Sequence, residues 1–204
     1  MMRRLPVIPT IVVTLAAATM VALGFWQLGR KEEKEALLAT FARNAADTGV
    51  RDFSAVEPSL ATYRRVRLDC RSPSGWNAVA GRSASGRSGY VHRYDCGVFA
   101  GDGQAASPVV GEIGWSPGPQ QPSFAGGEIV GRLAQSGEGY KIVSEDGLAG
   151  LEPSAQPDPR DLPNNHLAYA GQWFFFALTA LVIYWLALRR RWRDRGRDQG
   201  RDRG

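Results

Sequence analysis

The sequence predicts a membrane protein in which two transmembrane α-helices flank an exported β-rich domain. Three observations support this fold class. The runs Leu5–Gly29 and Leu167–Leu188 contain no charged residue, the segment Arg30–His166 between them is polar and long enough for one compact domain, and arginines follow the second run directly. A helix over Leu5–Leu28 would be about 36 Å long at a rise of about 1.5 Å per residue, which exceeds the roughly 30 Å hydrocarbon layer of a bilayer.

The arginines indicate the topology. Those from Arg189 onward place the C terminus in the cytoplasm by the positive-inside rule. With two spans the N terminus is cytoplasmic as well, which agrees with Arg3 and Arg4, and the long middle segment is exported. The predicted parts are a cytoplasmic N terminus at 1–4, transmembrane helix 1 at 5–29, an exported periplasmic β-rich domain at 30–166, transmembrane helix 2 at 167–188 and a cytoplasmic Arg-rich disordered tail at 189–204.

A cleaved signal peptide is the alternative interpretation of the first apolar run. Signal h-regions are about 7 to 15 residues long, and this run continues well past Ala18, so a retained anchor is favoured. Because no amphipathic, Ser-rich presequence precedes Leu5, the sequence favours a bacterial cell inner membrane over import into an organelle. The basic termini are then topology signals attracted to the lipid bilayer, and nucleic acid is not an expected partner.

Short strands are predicted through most of the exported segment. Residues Arg30–Arg43 first continue helix 1, because good helix formers dominate there and Lys31 and Glu35 have i,i+4 spacing. From Val50 onward, short apolar or alternating runs separated by Gly, Pro and Ser indicate an α+β domain with an antiparallel meander or a small barrel. The predicted strands are Tyr63–Cys70, Trp76–Ala80, Tyr90–Ala100, Val109–Trp115, Ile129–Leu133 and Tyr140–Val143. The prolines of Pro153–Pro163 exclude a helix or a central strand there.

Few residues in the exported segment suggest chemistry. The sequence has no P-loop, H-E-x-x-H, G-x-S-x-G or C-x-x-C motif. Cys70 and Cys96 fall in predicted strands of an exported domain, where either a disulfide or two buried unpaired thiols is chemically reasonable. A soft-metal site of Cys70, His92 and Cys96 is the third alternative, and for His92 an imidazole on the strand surface is favoured over a metal ligand.

His166 is notable for its position at the outer end of the second span, where ionisable groups are costly and often functional. Asn164 or Asn165 can cap the helix, which would leave His166 in its first turn. There the helix dipole favours the neutral imidazole, which is the form that binds a metal. Helical spacing places Tyr169, Ala170 and Trp173 on the same face. An interfacial histidine in an aromatic belt is the alternative interpretation.

The first span brings Trp26, Gln27 and Arg30 to the same outer boundary. An aromatic belt explains Trp26 and accounts less well for the two polar residues. A pocket for a flat, amphipathic, anionic ligand would explain the whole set, with aromatic walls, one axial nitrogen and a guanidinium for a carboxylate.

Four blocks of residues carry a resemblance to a known family. They are Gly24–Arg30 with Lys34, Leu37 and Leu38; Tyr63–Val66; Gly114–Pro117; and Pro163–Ala170 with Trp173 and Phe174. In this order they resemble the first-span exit, two interior blocks and the second-span entry of the SURF1/Shy1 family. Glu112–Trp115 departs from the Asn-Arg-Gly-Trp that this family usually has, and Cys70 and Cys96 are not part of its pattern.

The resemblance implies an assembly factor for haem-copper cytochrome c oxidase, not an enzyme. It implies that the chain binds haem a transiently and aids its insertion into oxidase subunit I, with that subunit and haem a synthase as protein partners. The predicted haem-binding residues are His166, which the resemblance implies, and Tyr169, Trp173, Trp26, Gln27 and Arg30, which share its position at the outer boundary of the two spans. His166 would be the axial ligand of the haem iron, and Arg30, with Gln27 as a second candidate, would hold the propionates.

Two other functions are weighed against this one. A cofactor-free membrane scaffold or adaptor would stabilise oxidase subunits through the exported domain alone. An enzyme of envelope metabolism would need acidic pairs such as Glu145 and Asp146 to converge in a cleft, and adjacent residues of a strand point in opposite directions.

Overall fold

The structure is a computed structural model that describes the backbone of residues 6–99 and 105–201 and the side chains of residues 6–97 and 109–194. The chain forms two compact units. One consists of the residues up to Ala36 together with those from Pro163 onward, and the other of Leu37–Leu162. The first unit is helical and the second contains a sheet, so two long apolar helices flank a sheet domain, as the sequence predicted.

Two long helices are the main elements of the first unit. Helix α1 spans Val7–Ala46, so the predicted continuation of the first helix beyond the apolar run is confirmed, and Lys31 pairs with Glu35 at 3.0 Å. The predicted start of this span at residue 5 lies outside the described residues. Helix α3 spans His166–Arg201. In its first turn, the Tyr169 N–H donates a 3.1 Å hydrogen bond to the carbonyl oxygen of Asn165. The predicted place of His166 in the first turn is confirmed. The short helix α2 (Pro58–Ala61) belongs to the second unit.

Small residues line the contact between α1 and α3. Ala17 and Gly24 are buried on α1, and Ala170 and Ala177 are buried on α3, each pair with a seven-residue spacing that keeps both members on one side of the helix. A Cβ atom on Gly24 would lie 2.6 Å from the ring of Phe174. The glycine therefore allows the aromatic ring to pack directly on the α1 backbone, a packing mode typical of helix pairs in membranes.

The outer faces of the two helices are apolar and exposed. Large exposed side chains include Val7, Ile8, Ile11, Val12, Leu15 and Phe25 on α1 and Leu167, Phe175, Leu178, Ile183 and Trp185 on α3. Among the described residues, these two helices are long and apolar enough to cross a membrane. Contiguous exposed apolar surface of this extent is typical of a protein that contacts lipid, so the helices are consistent with a membrane protein.

The end of α3 corrects one prediction. Composition predicted a disordered tail over 189–204, whereas α3 continues through this segment to Arg201, and residues 202–204 lie outside the described part of the chain. Two physical reasons account for the difference. Arginine is a strong helix former, and extending a formed helix avoids the cost of nucleating a new one.

A mixed sheet of seven strands forms the second unit. The strands are β1 (Arg51–Asp52), β2 (Arg65–Cys70), β3 (Pro73–Arg82), β4 (Ser88–Phe99), β5 (Ala105–Ser116), β6 (Gly127–Ser136) and β7 (Gly139–Ser144). Their order is β1-β2-β6-β7-β5-β4-β3, with parallel pairing of β1 to β2 and of β5 to β7. The prediction of an antiparallel meander is therefore wrong, because the sheet is mixed. The hairpin of β6 and β7 inserts between β2 and β5, and hydrophobic alternation reveals strands without revealing their neighbours.

The six strands predicted from the sequence correspond in order to β2–β7. The observed strands extend a few residues beyond most of the predicted ones, and Ala100, the predicted end of the third strand, lies outside the described residues. The two-residue strand β1 was not predicted, because it is too short to show alternation. Hydrophobic alternation in the sequence thus predicted where the strands lie, but it did not predict which strands pair with each other.

A buried disulfide shows how strongly the sheet curves. Cys70 on β2 and Cys96 on β4 are joined with a Cα–Cα distance of 5.0 Å, although three strands separate β2 from β4 in the sheet. Flat strands spaced about 4.8 Å apart would hold these positions about 19 Å apart. The sheet therefore wraps around its core. The fully buried members of that core are Val66, Cys70, Cys96, Ile113, Ile129, Leu133 and Ile142.

The proline-rich segment Pro153–Pro163 contains no helix of α type and no long strand, as predicted. Ser154 forms an isolated bridge to Ser83 at the end of β3, and Pro159–Asp161 is a single 3₁₀ turn.

Candidate functional site

A hydrogen bond joins α1 to α3 at the position where the sequence predicted a ligand-binding histidine. The Nδ1 atom of His166, in the first turn of α3, lies 2.8 Å from the Oε1 atom of Gln27 on α1. Both side chains are half-buried. These residues are far apart in the sequence and were predicted only to share a depth, so their direct contact is new information from the structure.

The partner of Nδ1 determines the protonation of the imidazole ring. A side-chain carbonyl oxygen only accepts hydrogen bonds, so His166 donates from Nδ1–H to Gln27. In a neutral imidazole the proton on Nδ1 leaves the lone pair on Nε2. A histidine that donates one ring N–H to a carbonyl and offers the other nitrogen is the usual arrangement of a metal-ligating histidine.

The aromatic residues predicted to surround His166 have different environments. Ala170, one turn along α3, is 1% exposed, whereas Tyr169 and Trp26 are 52% and 57% exposed. Trp173 is half-buried and packs edge-on against Phe176, with ring centroids 6.3 Å apart. Tyr169 and Trp26 are therefore accessible to a partner from outside the chain.

Arg30 lies one turn beyond Gln27 on α1 and forms an ion pair with Glu33. Both side chains of this pair are more than half exposed. An exposed ion pair is worth little, because water screens it and ordering two long side chains costs entropy. The Arg30 guanidinium can therefore exchange Glu33 for another carboxylate with little loss.

A cluster of metal ligands is a different kind of site, and the described residues contain no group of three or more His, Cys, Asp or Glu side chains that could hold a metal ion. The disulfide between Cys70 and Cys96 confirms one of the three alternatives for these residues and excludes the soft-metal site, since the sulfurs are bonded to each other.

His92 does not lie on the strand surface, so that prediction is wrong. Its side chain is fully buried, stacks on Trp76 and lies 2.7 Å from the hydroxyl oxygen of Ser116 through Nε2. The Ser116 hydroxyl donates to the Gly118 carbonyl oxygen at 2.7 Å, so His92 donates to Ser116 and its Nδ1 carries the lone pair. Burial lowers the pKa of His92. Its neighbours Val91 and Arg93 suggested ordinary alternation and gave no signal of this environment.

Sequence reasoning also missed a buried carboxylate. Glu112 on β5 is 3% exposed and accepts from Arg93 Nε at 3.0 Å and from Lys141 Nζ at 2.8 Å. A charged residue inside the apolar run Val109–Trp115 was the available signal. Because both cations face it, the carboxylate is neutralised inside the domain and is not free to act as a base.

The block Tyr63–Val66 connects the last turns of α1 to the sheet. Arg64 pairs with Asp47 at 2.9 Å, and Arg65 makes a two-bond contact of 2.6 Å with Glu145. The hydrogen bond from Arg65 lowers the pKa of Glu145. Glu145 is therefore held in an ion pair with Arg65.

Comparison with known proteins now adds to this geometry. The model of the SURF1 family matches residues 14–178, which include both Gln27 and His166. A search of curated proteins finds no match to the chain. The matched residues make up well over half of the chain and include the sheet domain and the region where the two long helices are in contact. The chain therefore belongs to the SURF1 family.

Proposed function

We propose that this chain binds haem a through His166 and aids its insertion into subunit I of a haem-copper cytochrome c oxidase. Membership of the SURF1 family implies a role in cytochrome oxidase assembly, and assembly factors of this family are generally not enzymes. The haem is cargo, which the chain takes up and then gives away. The observation that carries the proposal is the hydrogen bond of His166 Nδ1 to Gln27, because it leaves Nε2 as an available ligand atom.

The donor set fits a haem better than a free metal ion. One imidazole is the only ligand that the site needs to supply, since a macrocycle brings four nitrogens of its own. His166 would hold a bound haem by giving its Nε2 lone pair to the iron.

The remaining predicted residues supply the rest of the binding surface. Trp26 and Tyr169 are exposed rings that can cover the macrocycle, and Trp173 is a half-buried third. Arg30 would exchange Glu33 for a haem propionate, since a guanidinium pairs with either carboxylate in the same geometry. These assignments predict a site that opens to the side of the helix pair.

Weak binding suits this function. One protein ligand and exposed aromatic walls hold a cofactor less firmly than two axial ligands in a closed pocket. A carrier must release its cargo to the oxidase. Because one bond from His166 would hold the haem iron, release would require that bond to break and would not require the helix pair to unfold.

We infer that the helix pair spans a bacterial inner membrane with both termini in the cytoplasm and the sheet domain in the periplasm. The arginines after α3 support this orientation by the positive-inside rule. The Cys70–Cys96 disulfide supports it independently, because disulfides persist in the periplasm and are rare in the cytosol. The exported domain is then available to dock oxidase subunit I or haem a synthase.

The experiment is a titration of the detergent-solubilised full chain with haem a, followed by its Soret absorption. His166→Ala should lose the shifted Soret band of the bound haem, whereas Gln172→Ala, an exposed position on the same helix, should keep it. Circular dichroism of both variants checks that the helices and sheet remain. An unchanged band in folded His166→Ala protein would overturn the ligand assignment.

A further inference from the structure

We infer that Gln27 is a positioning residue, which fixes the tautomer and the ring orientation of His166 so that Nε2 is the atom offered to a ligand. This inference rests on the proposed function for its purpose, but its structural content concerns the protein without haem. It also gives Gln27 a different role from the one that the sequence suggested, which was to hold a propionate beside Arg30. The Oε1 atom of Gln27 is already engaged by His166 at 2.8 Å.

The contact is restrictive in the orientation that the structure gives to the Gln27 amide, in which the carbonyl oxygen and not the NH2 group faces His166. The carbonyl oxygen of Gln27 has no proton to donate, so the bond exists only when Nδ1 of His166 is protonated. Of the two neutral tautomers, this one has its lone pair on Nε2, on the far side of the ring from Gln27. Without the bond, the neutral ring would distribute between both tautomers and could rotate.

Packing one turn away holds the two partners at this distance. Gly24 precedes Gln27 by one turn on α1, and Ala170 follows His166 by one turn on α3, and both are buried in the contact between the helices. The ring of Phe174 lies against the α1 backbone at Gly24. The separation of the two backbones is thus set by close packing next to the hydrogen bond, so the bond is not left to long, mobile side chains alone.

The same bond makes Nε2 a better ligand. A carbonyl that accepts from one ring nitrogen raises the electron density available at the other, and such partners typically change metal affinity about 10- to 100-fold when removed. Gln27→Leu keeps the approximate volume and removes the acceptor. Gln27→Glu keeps an acceptor and should rescue the tautomer.

The first test needs no haem. Full-length chain labelled with ¹⁵N-histidine in detergent at about pH 8 has only His92 and His166 to resolve. Loss of one set of signals in His166→Ala assigns them. We expect His166 to be protonated at Nδ1 in the wild type and in Gln27→Glu. In Gln27→Leu the signals should shift toward a mixture of tautomers, and Gln172→Leu should leave them unchanged. Protonation of His166 at Nε2 in the wild type, or an unaltered tautomer in Gln27→Leu, would overturn the inference.

The second test uses haem a and separates this inference from the proposed function. Gln27→Leu should weaken haem binding about 10- to 100-fold, and Gln27→Glu should restore it. If the wild type binds no haem while its His166 is protonated at Nδ1, the proposed function fails and the positioning geometry stands. If the wild type binds haem and Gln27→Leu binds it equally well, Gln27 has no positioning role.

Discussion

Cys70 and Cys96 are bonded across the inside of a curved sheet, between strands that are not neighbours in it. Both side chains are fully buried in the domain core. The bond ties the N-terminal part of the sheet to the β3-β4-β5 part, whose strands follow one another antiparallel. A cross-link at this place closes a loop that contains β3 and the turn before β4, and so restricts the unfolded chain as well as the folded one.

Removing this disulfide should destabilise the domain. For a closed loop of this length, replacing both residues in Cys70→Ser/Cys96→Ser should cost about 3 to 4 kcal/mol in the free energy of unfolding. Urea unfolding of the full chain in detergent, followed by tryptophan fluorescence, measures the change. Labelling of the denatured, unreduced wild type with a thiol reagent is the control, and two reactive thiols there would contradict the assignment.

The buried Glu112 carboxylate should matter far more than a surface carboxylate of the same type. Glu112→Gln leaves Arg93 and Lys141 without their shared anion and should lower the free energy of unfolding by about 3 kcal/mol. The matched control is Glu128→Gln, because Glu128 is 57% exposed and pairs with Arg67, which is 50% exposed. That change should stay within about 0.5 kcal/mol of the wild type. Equal effects of the two substitutions in urea unfolding would show that Glu112 is not buried in an ion network.

Burial of His92 gives stability a dependence on pH. Because the pKa of His92 is lowered in the folded state, the unfolded chain takes up a proton at a higher pH than the folded chain does. The contribution of His92 to the free energy of unfolding is therefore complete above the ordinary histidine pKa of about 6.5. It declines as the pH falls below that value toward the lower pKa of His92 in the folded state. The urea concentration at the unfolding midpoint should decrease as the pH is lowered from about 7.5 to about 5.5. This decrease should be smaller in His92→Gln.

The Glu145 carboxylate titrates in a separate pH range, so it does not obscure the effect of His92. The pKa of Glu145 is lowered by its hydrogen bond with Arg65, and its contribution is lost only as the pH falls below the ordinary value of 4.5. A midpoint for the wild type that does not change down to about pH 5.5 would contradict a buried, neutral His92.

The close approach at Gly24 should be required for the helix pair. Gly24→Leu would push a side chain into the ring of Phe174, and overpacking of this kind costs about 1 to 3 kcal/mol. Gly29→Leu is the control on the same helix, since no atom lies within 4 Å of a Cβ built there. We expect the helical circular dichroism of Gly24→Leu to melt at a lower temperature than that of Gly29→Leu. Identical melting curves would indicate that the helices do not meet at Gly24.

Some features of the site were predictable from local sequence. The asparagine pair before His166 indicated a helix start, and α3 does begin at that histidine. The charge-free runs indicated both long helices. These signals lie within one or two turns of the residues that they concern, which is why a single sequence contains them.

Other features depend on contacts between distant segments. Gln27 was predicted at the level of His166, and the two are in contact, but the face of α1 that meets α3 is decided by the buried small residues. Apolar composition on all sides of the helix conceals that face. The partner of Cys96 depends on how far the sheet curves, and the position of β7 between β5 and β6 depends on a chain reversal that no pattern within a strand specifies. The roles of Arg30, Trp26 and Tyr169 toward haem remain predictions.

The most direct test of the central claim is an absorption spectrum of the wild-type chain purified in detergent from cells with and without haem a synthesis. We predict a haem a Soret band in protein from the first cells, which is absent in protein from the second and absent in His166→Ala from the first. Colourless wild-type protein that still co-purifies with oxidase subunits would contradict haem binding and support the cofactor-free scaffold instead.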